Sequence, residues 1–109
     1  MFGLFESKSE KLMKNCLKIA RELSACQKRV LKNPDSDWWK NYLYQTELNY
    51  REKYLEVQKL MGDDYVKSLT DLIDKEYFNS KYFLSDKEQK KVNDLMTDYK
   101  IKKGIPLFP

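Results

Sequence analysis

Apolar residues recur at steps of three and four along most of this chain. Leu12, Cys16, Ile19, Leu23, Cys26 and Val30 form the longest such run, and Met13, Leu17 and Ala20 widen it. A helix turns once per ~3.6 residues, so this spacing lines one face and predicts a first helix over about residues 8–32. Asn33, Pro34, Asp35, Ser36 and Asp37 then combine a breaker with N-cap candidates. Trp39, Leu43, Tyr50, Tyr54, Val57 and Met61 predict a second helix over 37–61. Inside it, Tyr42, Tyr44, Thr46, Leu48 and Tyr50 also alternate with period two, which is the pattern of a strand. Helix is the better reading, because the flanks keep helical period and no turn signal bounds the segment.

Gly62, Asp63 and Asp64 punctuate the chain again, with an aspartate as cap, and Tyr65, Leu69, Leu72, Ile73 and Tyr77 predict a third helix over 64–79. The best start signal is the capping box of Ser85 and Glu88, in which each side chain satisfies the other's exposed amide. Val92, Leu95, Met96 and Tyr99 follow, and Lys102, Lys103, Gly104 and Pro106 close a fourth helix over 86–103. An apolar tail, 105–109, ends the chain. Prolines stand only at 34, 106 and 109, and short connections favour antiparallel neighbours. The expected fold is all-α: one domain over 1–109, an up-down antiparallel bundle of four helices with the first two longest.

Composition supports a packed core. Hydrophobic residues make up 41% and aromatics 14%, while the 35% charged residues nearly cancel in sign, leaving +4. No apolar run reaches the ~18 residues of a membrane span. Residues 1–6 lack the basic and long apolar regions of a secretory signal, so a cytoplasmic location is expected. Cys16 and Cys26, ten positions apart on one helix, would lie about 15 Å apart, beyond disulfide reach. They read as packing thiols in a reducing compartment.

The absence of histidine removes the Ser/His/Asp triad, the Cys/His pair and the paired-histidine zinc site. Three glycines cannot write a phosphate-cradling loop or a dinucleotide fingerprint. Asp71 and Asp74 share a helix face beside Asp63, Asp64 and Glu76, but read as a solvated or electrostatic partner surface rather than a cation site. No enzymatic activity, cofactor or metal is therefore expected.

Surplus faces remain. Tyr44, Leu48 and Leu55 fall about 160° from the main stripe of the second helix. Either that helix is wrapped on both sides, or this face meets another protein or a second copy of the chain as a homodimer. Trp38 beside Trp39, together with eight tyrosines, favours contact. On the first helix Lys11, Lys14, Lys18, Arg21, Lys28 and Lys32 form a basic stripe, an ordinary solvated face or an anion-binding ridge for acidic protein, nucleic acid or lipid headgroups. No aromatic interleaves these lysines as a single-strand stacking platform requires, and only three of the 21 basic residues are arginine.

The tail residues Ile105, Leu107 and Phe108 either cap the core or dock in a partner groove. Phe2, Leu4 and Phe5 at the other end either clip onto the bundle or touch a membrane surface. The function this pattern leads us to expect is a non-enzymatic protein-binding module that occludes a partner, of the small inhibitor, immunity or adaptor/chaperone type, bacterial or phage in character. The alternative is an accessory nucleic-acid binder using the lysine-rich face of the first helix.

Overall fold

The computed structural model describes residues 8–107. Four helices follow in order: α1 (Lys8–Lys32), α2 (Asp37–Met61), α3 (Asp63–Phe78) and α4 (Asp86–Lys103). The all-α expectation therefore holds, with α1 and α2 the longest. The alternating segment around Tyr42–Tyr50 lies wholly inside α2. Helix suits its one buried polar residue, because the Thr46 hydroxyl donates to the Tyr42 carbonyl one turn back at 2.8 Å.

Local chemistry sets the ends. Ser36 caps α2, its hydroxyl accepting the Trp39 amide at 3.2 Å. The box at α4 is complete: Ser85 Oγ accepts from the Glu88 amide at 3.2 Å, and Glu88 Oε1 accepts from the Ser85 amide at 3.0 Å. The α2–α3 junction differs from expectation. Gly62, at φ +83°, ends one helix and caps the next with no side-chain cap bond. Only a residue without Cβ adopts that φ freely, so the backbone turns in a single residue. Asp63 instead accepts from the Gln58 side chain at 3.2 Å.

α1 and α2 pack as an antiparallel hairpin, which serves as a spine. α3 returns beside it: its Tyr65 hydroxyl reaches Met13 Sδ at 3.3 Å, its Thr70 meets the Tyr54 hydroxyl at 3.2 Å, and its Glu76 reaches Arg21. α4 covers the opposite end, with Glu88 beside Lys28, and Lys102 and Lys103 both on Asp37. Among the described residues α3 and α4 do not pack against each other.

Two cores result. One gathers Cys26, Val30, Leu43, Val92, Met96 and Tyr99, plugged by Leu84 from the α3–α4 connection. The other gathers Leu12, Cys16, Val57, Val66 and Leu69. The inward face of α3 thus runs through Val66 and Leu69, with Ile73 packed alongside, whereas Leu72 is exposed. The molecule is elongated, 45 × 29 × 25 Å, as a hairpin of two 25-residue helices with one short helix at each end must be.

Candidate functional site

α1 has two apolar faces. The first meets α2. The second, turned about 100° away, runs through Met13, Leu17, Ala20 and Leu31 and is broken by the polar Ser24 and Gln27. α3 covers its beginning and α4 its end, so the middle stays open between them. There Ala20 and Ser24, too small to fill the gap, form the floor of a cleft of about 310 Å³. Leu17 and Leu23 of α1, Tyr50 of α2, and Ile73 and Tyr77 of α3 wall it.

Polar side chains gather round this apolar floor, among them Gln27, Tyr50, Ser80 and Gln89. Arg21 and Glu76 pair at two points on the rim, Nε to Oε2 at 3.2 Å and Nη2 to Oε1 at 3.1 Å. Lys81, from the α3–α4 connection, stands at the mouth with its ammonium 5.2 Å from the Tyr82 ring centre. Burial pushes the Tyr50 phenol above its ordinary range, and Cys16, Tyr54 and Asp74 nearby add to the effect. Tyr50 therefore enters the cleft as a neutral hydroxyl.

A second feature lies at the start of α2. Trp38 is 63% exposed, yet its ring stacks on Tyr42 at 5.5 Å and meets Trp39 edge-on at 4.8 Å. The Arg29 guanidinium lies 5.5 Å over Trp39 behind them. The exposed aromatics are thus held in one arrangement by their neighbours. Beside them the Asp37 carboxyl is kept below its ordinary range, chiefly by the hydrogen bond from Lys102.

The sequence-predicted residues fall into separate places. The Tyr44, Leu48 and Leu55 stripe divides: Tyr44 is half-buried against the core with the Lys100 ammonium 5.6 Å over its ring, while Leu48 and Leu55 are 43% and 50% exposed. Trp38 does not join them, lying about 100° round the helix and about 25 Å along it from Leu55. In the basic stripe Lys11, Lys14, Lys18 and Lys32 are exposed. Arg21 is engaged with Glu76, and Lys28 with Glu88 at 3.4 Å.

Both thiols are buried and free, their pKa values raised by desolvation; Cys26 Sγ sits 4.0 Å from the Thr46 hydroxyl. Of the tail, Ile105 packs against the core and donates its amide to the Lys100 carbonyl at 2.8 Å, and Leu107 is exposed. Phe108 lies outside the described residues, as do Phe2, Leu4 and Phe5.

Periodicity marked Leu17, Ala20, Leu23, Tyr50, Ile73 and Tyr77 as stripe positions but not as a cleft, because they belong to three different helices. The ring cluster of Tyr77, Phe78 and Phe83, with centres 5.3–5.8 Å apart, is likewise created by the α3–α4 connection. Its only sequence signal was the density of aromatics over 77–83.

What the fold defines is a class: an all-α protein of four helices, its two short helices straddling an open cleft. Comparison with protein families, curated proteins and solved structures finds no match to this chain. Among the described residues no helix is long and apolar enough to cross a membrane.

Proposed function

We propose that this chain is a protein-binding module that covers an acidic surface of a partner protein, with Trp38 as its anchor. The observation that carries the reading is an exposed tryptophan already held in place by Tyr42 and Trp39. A large side chain fixed before contact loses little conformational entropy on binding, and tryptophan, tyrosine and arginine dominate the energetics of protein interfaces. The charge around it argues for an acidic partner. Arg29, Lys32, Lys40, Lys102 and Lys103 cluster at this end of the molecule against Asp35 and Asp37. Leu48 and Leu55 offer further exposed apolar contact along α2.

The nucleic-acid alternative draws on the α1 stripe, two of whose cations are engaged with carboxylates of α3 and α4. The protein-binding reading is preferred because its basic end surrounds an exposed tryptophan, whereas no aromatic interleaves the α1 stripe.

The test compares wild type with Trp38→Ala and Leu48→Asp. Each is immobilised and exposed to lysate with and without nuclease treatment, and the retained protein is purified for direct titration. The expected result is a complex weakened at least about tenfold by Trp38→Ala, with helix content unchanged. Equal affinities for wild type and Trp38→Ala overturn the reading, as does a complex that nuclease abolishes. Sedimentation of the same variants separates a second copy of the chain from a different partner.

A further inference from the structure

The cleft between α3 and α4 plays no part in the partner-binding reading, and its chemistry suits a different kind of molecule. Its volume of about 310 Å³ falls at the lower end of small-molecule sites. It is about twice the ~150 Å³ of an apolar cavity that accepts benzene, room for about two fused rings or a chain of about ten carbons. The floor at Ala20 and the walls at Leu17, Leu23 and Ile73 are apolar.

Two polar side chains lining the cleft, Tyr50 and Gln27, have no hydrogen-bond partner in the protein among the described residues. At the mouth the Arg21 charge is met by Glu76, whereas Lys81 has no carboxylate partner among the described residues. An apolar body is thus offered a slot, and a negative head group is offered a cation at its opening.

We propose that this cleft binds a small amphiphilic monocarboxylate. Its apolar body of about ten carbons lies over Ala20, and its head group meets Lys81 at the solvent edge. Tyr50 and Gln27 supply neutral hydrogen bonds to a polar substituent on the body, which selects among ligands of equal size. Small residues at the floor are what leave the slot open: any large side chain at position 20 would occupy it.

Decanoate is the probe, titrated by calorimetry and by amide chemical shifts on the full chain, with decanol as the uncharged control. The expected result is saturable 1:1 binding, with shifts confined to residues 17–27, Tyr50, residues 73–82 and Gln89. Ala20→Phe loses at least tenfold in affinity. Lys81→Gln weakens decanoate severalfold and leaves decanol unchanged, while Trp38→Ala binds decanoate as wild type does. Should Ala20→Phe fail to fold, Ser24→Leu on the next turn reads the same loss. The proposal is overturned by an absence of saturable binding, by shifts centred elsewhere, or by a Lys81→Gln effect equal for decanoate and decanol.

Discussion

The hydroxyl of Tyr77, near the end of α3, accepts a hydrogen bond from the backbone amide of Leu84 at 2.8 Å. Leu84 is buried in the core beneath α4, so this bond ties the end of one short helix to the plug that seats the other. The same ring walls the cleft and packs on Phe83 at 5.3 Å. Tyr77→Phe keeps the ring and leaves the Leu84 amide without its acceptor. It should cost about 1–2 kcal/mol in urea unfolding and speed hydrogen exchange at Leu84 more than at Leu43. Unchanged protection of that amide would show that the connection is held by packing alone.

Because the two cores occupy opposite ends of the hairpin, damage to one should scarcely be felt at the other. Val92→Ala and Val66→Ala each remove two buried methyl groups, one from each core. Each should cost about 2 kcal/mol from lost burial and the void left behind. Their effects should add to within about 0.5 kcal/mol in the double variant. A coupling well above that, measured by chemical denaturation, would mean that the spine transmits strain between its ends.

Acid should weaken the fold through two carboxylates. Glu88 is held below its ordinary range, first by the hydrogen bond from the Ser85 amide, then by the Ser85 side chain and Lys28, and Asp37 chiefly by Lys102. A carboxyl whose pKa is lower folded than unfolded contributes stability above its unfolded value. That contribution is lost as the pH falls through the folded one. The loss should therefore begin below about pH 4.3, where an unperturbed glutamate takes up its proton. Melting temperatures followed down to about pH 3 should fall less steeply in Glu88→Gln and Asp37→Asn than in wild type. Glutamine still caps, so a slope identical to wild type in both variants would rule these groups out as the source.

Much of this architecture is local and therefore visible in the residues themselves. The α1 stripe from Leu12 to Val30, the Ser36 cap and the Ser85–Glu88 box each depend on neighbours within one or two helical turns. The α3 stripe was legible as a helix but not as an orientation. Leu72 and Ile73 share the same period, and only the position of the hairpin decides that Ile73 packs inward while Leu72 meets solvent.

The candidate sites divide along the same line. Trp38, Leu48 and Leu55 were recognisable as surplus apolar surface, and the structure leaves them exposed. Tyr44 has the same helical phase as Leu48, yet it lies against the core beneath Lys100, because α4 reaches one end of α2 and not the other. The cleft's lining was legible only as core stripes, not as a site. Its floor is two small residues on α1, and their smallness becomes a site only because a one-residue turn at Gly62 sends α3 to one end of the spine while Leu84 seats α4 at the other. Periodicity and capping act over a few residues and determine which segments are helices. Where those helices leave a gap depends on contacts between residues fifty to sixty positions apart, such as Met13 with Tyr65 and Lys28 with Glu88, and only the folded chain brings such pairs together.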